Sequence, residues 1–224
     1  MQKASQNIGI NTNLLKFMVL IRQLQSYYNI YNTLISKINM LHIFDFCTMI
    51  VNLLCTFLLA RLYVIGWPVG IVGLIMSAGL FSVSGLYADA ILQMILLFSF
   101  GYGWYSWQPN FSHKKIVVHR LKITGWLKVL VSIGVFGLLV SQLLILYTDS
   151  TTPYMDGFTS VASLVCVFLA SRKIIDNWVI WMVVDSTYTL LYIYKDLPFA
   201  AITTFIYLIV AIYGYIHWKK LMYT

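Results

Sequence analysis

Charged side chains are scarce in this sequence. Asp, Glu, Lys and Arg make up 10% of its 224 residues, against about 25% in soluble domains. Hydrophobic residues make up 60%, and the mean hydropathy is +0.81. A soluble fold is excluded, and the chain is an integral membrane protein. Glutamate is absent, all seven acids being Asp, which rules out an HExxH metal site. Cysteine is nearly absent: Cys47, Cys55 and Cys166 form no CxxC pair and lie in or beside apolar runs. They read as small packing residues, with no disulfide framework or metal site. His42, His113, His119 and His217 are scattered over loops and span ends, so neither a metal nor a cofactor is expected. The net charge of +8 does not point to nucleic acid, because Lys and Arg stand between apolar runs, where they set membrane topology.

What is present is a series of apolar runs, each close to the 20 or so residues that cross a bilayer. Residues 1–42 are the exception, polar at the tip and then amphipathic, with Lys16, Arg22 and Lys37 interrupting the apolar pattern. No small-residue cleavage site follows, which excludes a secretory signal peptide. This segment either lies in the interface as an amphipathic helix or crosses as an eighth span. Seven spans are expected at about 44–65, 67–86, 88–107, 126–147, 157–171, 177–195 and 198–217. They group into a first three-helix repeat (43–107), a basic loop and linker helix (108–156), a second three-helix repeat (157–218) and a tail (219–224).

Alternating the spans collects Arg61, Lys114, Lys115, Arg120, Lys122, Arg172, Lys173, Lys219 and Lys220 on one side with Asp176. Asp89, Asp149, Asp156 and Asp196 fall on the other, with Lys195 snorkelling there and the basic N-terminal segment on the same side unless it crosses as an eighth span. The positive-inside rule then makes the first side, with the C-terminus, cytoplasmic.

The grouping into triplets comes from an internal repeat. At a constant offset of 111 residues, Cys55 falls on Cys166, Arg61 on Arg172, Trp67 on Trp178, Leu86 on Leu197, Tyr102 on Tyr213, Gly103 on Gly214 and Trp107 on Trp218. Residues 53–107 and 164–218 share 16 identities in 55 ungapped positions. Matched Arg, Cys and Trp are hard to obtain from apolar composition alone. Three spans reverse the direction of the chain, and the single linker span restores it. The fold expected is therefore all-α, seven transmembrane helices as 3+1+3 parallel repeats, with a binding site between the repeats near the midplane.

One span stands out. Along Asn177–Lys195, residues Trp178, Trp181, Asp185, Tyr188, Tyr192 and Lys195 follow at steps of three and four, so they share one helical stripe. An Asp in mid-span costs about 2.5–3.5 kcal/mol on insertion scales and marks a functional site by default. Aromatic rings above and below an acid suit a flat cation. Each residue also has a plainer reading: Trp178 and Trp181 as interface anchors, Asp185 as partner to a hydroxyl or Lys on another span, Tyr188 and Tyr192 as packed rings. Opposite Trp181 and Asp185 the first repeat has Gly70 and Leu74, so one wall carries recognition groups and the other leaves space. From the first repeat, Gln93, Asn52 and Trp67 complete the set of expected substrate-binding residues. Gly and Pro in the second span mark Pro68 as a site of kinking.

Several segments together carry a resemblance: NWxxWxxxD followed by LYIYK, GYGWYSW, ARxxxxGWPxG, GLYADA and YGYxHWKK. Over about residues 43–221 the chain resembles the PnuC family of bacterial vitamin transporters. The resemblance implies a SWEET-like fold of three plus one plus three spans, a homotrimer in the inner membrane, and uptake of nicotinamide riboside by facilitated diffusion with trapping by cytoplasmic phosphorylation. It places the family's WxxWxxx[N/D] signature on Trp178, Trp181 and Asp185. Members often carry Asn at the last of these positions. Nicotinamide riboside and thiamine both bear a fixed positive charge on an aromatic ring, so Asp185 suits either, and a neutral flavin gains less.

The partners expected are thus a small vitamin and membrane lipid. A membrane enzyme or its accessory subunit is the competing class, and it calls for several polar groups converging at one depth. The spans offer no nucleophile and base pair. A receptor calls for an output module, and a proton relay for more than one buried acid or His.

Overall fold

The computed structural model describes residues 2–83, 87–108, 117–148, 150–194 and 196–222. Leu86, His113, Lys114, Lys115, Asp149 and Lys195, named above, lie outside the described residues. The described chain forms seven helices: α1 (Gln2–Ala60), α2 (Gly66–Val83), α3 (Tyr87–Trp107), α4 (Ile123–Tyr147), α5 (Pro153–Ser171), α6 (Asp176–Tyr194) and α7 (Pro198–Leu221). There are two compact units, Met1–Phe46 and Cys47–Thr224. The first is helical, with exposed rings at Tyr27, Tyr28 and Tyr31. The second is the helix bundle.

Five stretches are long and apolar enough to cross a membrane: Asn39–Ala60, Gly66–Val83, Ile123–Tyr147, Pro153–Ser171 and Pro198–Leu221. The other two helices, α3 with 21 residues and α6 with 19, are long enough but more polar. The α3 helix ends in GYGWYSW, and α6 carries two Asp, an Asn, three Ser or Thr and three Tyr. Parity requires both to cross. The C-terminal ends of α1, α3, α5 and α7 meet at one end of the bundle, as the contacts below show, so α2, α4 and α6 must each return the chain to the other end. The result is an all-α membrane protein of seven spans with two parallel triplets.

Proline marks the starts. Pro153 and Pro198 stand in the first turn of α5 and α7, where the missing N–H is one that the helix leaves unpaired in any case. Pro68 is the third residue of α2 and likewise removes no intrahelical hydrogen bond. Pro68 thus gives no reason for the expected kink.

The repeats stop their first helices in the same way. Leu62 has φ 59° and Lys173, its mate at the 111-residue offset, has φ 57°. After α1, Tyr63 N–H donates to Leu58 O and Leu62 N–H to Leu59 O; after α5, Ile174 N–H donates to Leu169 O and Lys173 N–H to Ala170 O. These are Schellman caps, which satisfy carbonyls that a helix end leaves free. Glycine is the usual residue there, and a side chain in this conformation costs about 1–2 kcal/mol.

Two tryptophans lock the repeats together across the axis. Trp107, at the end of α3, donates its Nε1–H to Ser171 O at the end of α5, 3.0 Å away. Trp218, its repeat mate, donates to Ala60 O at 3.1 Å and to Leu59 O at 3.3 Å, at the end of α1. Ala60 and Ser171 are themselves mates, so the bond is made twice, crosswise. Arg61 extends the pattern by donating to the Tyr213 hydroxyl at 3.1 Å, while Arg172 lies 5.7 Å from the ring centre of Tyr102. The four rings Trp67, Trp107, Trp218 and Trp178 form a row with centroid separations of 5.3, 6.1 and 5.6 Å. All four are buried. Glycine permits the outer contacts: the Trp67 ring lies against Gly103 and the Trp178 ring against Gly214, where any Cβ meets indole carbons. Small residues play this role widely in membrane helix packing.

A further connection joins the linker segment to the second repeat. The strand-like segment before α4 lies along the α5–α6 turn: His119 N–H donates to Lys173 O, Ile175 N–H to His119 O, and Leu121 N–H to the buried Asp176 carboxylate at 2.6 Å. Arg120 stands 3.8 Å from the same carboxylate. Burial lowers the pKa of Lys173, whose ammonium lies 5.7 Å from the Trp107 ring centre.

Replacing Trp107 or Trp218 by Phe keeps a ring and removes the crossed hydrogen bond. Each substitution is expected to lower unfolding stability in detergent by about 1–3 kcal/mol, because a buried carbonyl loses its donor. The exposed Trp104 is the control, and Trp104→Phe should change denaturant midpoints far less.

Candidate functional site

A cavity of about 400 Å3 opens between α1, α2, α3, α5, α6 and α7, within the size range of small-molecule sites. Its lining follows the repeat register. Asn52 and Ser163, Thr56 and Val167, Trp67 and Trp178, Gly70 and Trp181, Leu74 and Asp185, Ser77 and Tyr188, Leu96 and Tyr207, and Phe100 and Ala211 all line it, and each pair is separated by 111 residues. The cavity therefore straddles the pseudo-two-fold axis. Its two walls differ in size: where one repeat has Gly70 or Ala211, the other has Trp181 or Phe100. A slot between unequal walls leaves room on one side for a flat ligand laid against the other.

Of the residues expected from the sequence, Trp178, Trp181, Asp185, Tyr188, Gln93, Asn52 and Trp67 line this one cavity. Tyr192 is not among its lining residues; its ring stacks on Tyr188, with centroids 5.7 Å apart. Tyr188 in turn shares a hydrogen bond of 2.7 Å with the Thr159 hydroxyl on α5. Asn52 is partly used, its Nδ2 donating to Ser77 Oγ at 3.2 Å.

Asp185 is 9% exposed. Among the described residues its carboxylate makes no hydrogen bond or ion pair; only its backbone carbonyl is engaged, by the Thr189 hydroxyl at 2.7 Å. A lone carboxylate in a mostly apolar wall is costly to bury without a partner, and a ligand cation supplies one. The indole of Trp181 lies one turn away on the same stripe, and its face adds about 0.5–2 kcal/mol to the binding of a cation. Among the described residues no three His, Cys, Asp or Glu side chains gather as a metal-ligand set.

The structure also brings in residues the stripe did not name: Tyr207, Ser163, Thr56, Phe100 and Asn177. The repeat register is the signal that finds some of them, since it maps Asn52 onto Ser163. Tyr207 stands opposite Leu96, and nothing in the local pattern of α7 separates it from a packed ring.

Because the Asp185 carboxylate is unpaired, Asp185→Asn is expected to leave the fold intact and to raise the melting temperature of the ligand-free protein in detergent by a few degrees. A fall of several degrees shows instead that the carboxylate holds a structural partner.

Comparisons with known proteins agree with this geometry. Residues 42–220 match a family model described as nicotinamide mononucleotide transporter. The nicotinamide riboside transporter PnuC of Escherichia coli (strain K12) is 24% identical over 162 residues, covering 61% of this chain and 68% of that protein. Its Shigella flexneri counterpart matches to the same extent. The crystal structure of the vitamin B3 transporter PnuC superposes with a TM-score of 0.62 at 21% identity, over 79% of this chain and 80% of that one; at this identity the likeness concerns the fold. With the repeat, the axial cavity and a match over most of its length, the chain belongs to the nicotinamide mononucleotide transporter family.

Proposed function

We propose that this protein carries nicotinamide riboside across the membrane through the axial cavity. The observation that carries the reading is the unpaired Asp185 carboxylate among indole and phenol rings, in a cavity bounded by both repeats. A pyridinium ring offers this wall a fixed positive charge and a flat face. The phosphorylated form of the ligand fits less well. No Lys or Arg lines the cavity, and a phosphate brings a charge of about −2 and acceptor oxygens that need such partners.

The same reasoning supports facilitated diffusion with trapping. Asp185 is the one acid among the lining residues, which gives little support for a proton relay. Once cytoplasmic phosphorylation adds a phosphate, the product is repelled by Asp185 and finds no cation to hold it. The basic ends of α1, α5 and α7, with Arg61, Arg172, Lys173, Lys219 and Lys220, support a cytoplasmic C-terminus in an inner membrane. A homotrimer surrounded by lipid belongs to the same proposal. Thiamine is the second reading, since its thiazolium also gives Asp185 a flat cation.

Competition binding on purified protein with nicotinamide riboside, its 5′-phosphate, thiamine and riboflavin tests this. The riboside is expected to bind at least about tenfold more tightly than the phosphate and riboflavin, or about 1.4 kcal/mol. Asp185→Ala is expected to reduce uptake by about tenfold or more in vesicles while the protein still inserts and purifies as a folded species. Wild-type uptake by that variant, or equal binding of riboside and phosphate, sinks the reading.

A further inference from the structure

A second cavity, of about 430 Å3, lies between α4, α5 and α6, away from the axis. Leu130 and Val183 in its wall are 60% and 63% exposed, so it is a groove open to whatever surrounds the bundle. Apart from Thr159 and Thr187 its lining residues are apolar. Both hydroxyls are already engaged. Thr187 donates to Val183 O at 2.8 Å, and Thr159 bonds to Met155 O and to the Tyr188 hydroxyl, each at 2.7 Å. The groove thus offers an occupant no free hydrogen-bonding group, and it suits a chain that brings none.

One end of the groove is polar and cationic. Lys122, Trp126, Val129 and Ile133 follow at steps of four, three and four, so Lys122 stands one turn beyond Trp126 on the face of α4 that lines the groove. Lys122 is also the N-cap of α4, and no side chain caps that end. The N–H groups of Gly125 and Trp126 both donate to Lys122 O. Those of Ile123 and Thr124 are left without a partner among the described residues. The same holds for the Lys122 ammonium and the Trp126 Nε1–H. This end is fixed to the bundle, since Leu121 N–H donates to the Asp176 carboxylate at the start of α6.

We propose that the groove between α4, α5 and α6 is a binding site for one anionic phospholipid. An acyl chain lies along the groove, and the phosphodiester sits at the start of α4, against Lys122 and the free N–H groups of Ile123 and Thr124. A helix N-terminus favours an anion, and basic side chains beside a membrane helix select anionic headgroups. Charge chooses this occupant over a second copy of the chain. The ends of α1, α5 and α7 meet at this end of the bundle and carry Arg61, Arg172, Lys173, Lys219 and Lys220, so a second copy brings like charge and a phosphodiester brings the opposite. The site also touches the axial cavity from behind: Val184 lines both spaces, and Thr159 in the groove holds Tyr188 in the cavity wall. An acyl chain here is the outer backing of that wall. The assignment does not depend on which vitamin the axial cavity takes.

The test is native mass spectrometry of the delipidated full chain in detergent, titrated with dioleoyl phosphatidylglycerol, dioleoyl phosphatidylcholine or inorganic phosphate. Wild type is expected to hold one phosphatidylglycerol per chain, at least about tenfold more tightly than phosphatidylcholine, and to hold no phosphate at the same concentrations. Lys122→Gln is expected to cut the preference for phosphatidylglycerol to within about threefold, with phosphatidylcholine bound as in wild type. Val183→Trp fills the groove from its exposed side and is expected to weaken both lipids by about tenfold or more, with an unchanged melting temperature in detergent showing that it folds. Equal binding of the two lipids by wild type overturns the proposal without any variant. Phosphate held as tightly as the lipid overturns it too, because the anion alone then accounts for the site. So does Lys122→Gln with the preference intact, or a folded Val183→Trp that binds both lipids as wild type does. Oligomers of wild type that fall to single chains in Val183→Trp assign the groove to a second copy instead.

Discussion

The crossed hydrogen bonds from Trp107 to the end of α5 and from Trp218 to the end of α1 are the constraint on which the rest of the bundle depends. Each triplet alone carries an indole N–H without an acceptor and a helix end with free carbonyls. Within a membrane there is little water to satisfy either, so neither half is complete by itself. The two bonds also fix the relative rotation of the halves, because each repeat must present both a donor and an acceptor at the same height. The Schellman caps at Leu62 and Lys173 set that height, by stopping α1 and α5 at matching residues and turning the chain at once into α2 and α6.

Held in this way at one end, the two halves need not match in the cavity. The copies have diverged there by trading volume across the axis, Gly70 against Trp181 and Phe100 against Ala211, and by placing the acid and the phenols, Asp185, Tyr188 and Tyr207, in the second copy, while Asn52, Thr56, Ser77 and Gln93 line the cavity from the first. Symmetric framework and asymmetric lining are separate requirements, and the residues that meet them are separate. The exception is the pair Trp67 and Trp178, which belong to both.

The framework was legible in the sequence to a large degree. Six of the helices fall within a few residues of the apolar runs, because a span must be apolar over about 20 residues and its ends must carry turn or charged residues. The repeat register was legible because Arg, Cys and Trp are rare enough in such runs for coincidence to stand out. The α6 stripe was legible for the same reason, an Asp being conspicuous among Val and Trp. Other features were hidden. A tyrosine such as Tyr207, on a helix apolar all round, has no periodicity to tell which face meets a cavity. The crossed bonds join a side chain to a backbone carbonyl, and every residue has a carbonyl, so no residue type announces them. Pro68 illustrates the converse, since a residue that breaks a helix in mid-span is innocuous three positions from its start.

The row of four indoles has an optical consequence. Rings spaced 5.3, 6.1 and 5.6 Å apart are close enough for excitation to pass from one to the next, so the four behave as a single emitter with its two ends in the cavity wall. An aromatic cation is an electron acceptor for excited indole, and contact at either end drains light absorbed anywhere along the row. The protein thereby carries a native reporter of occupancy at its axis.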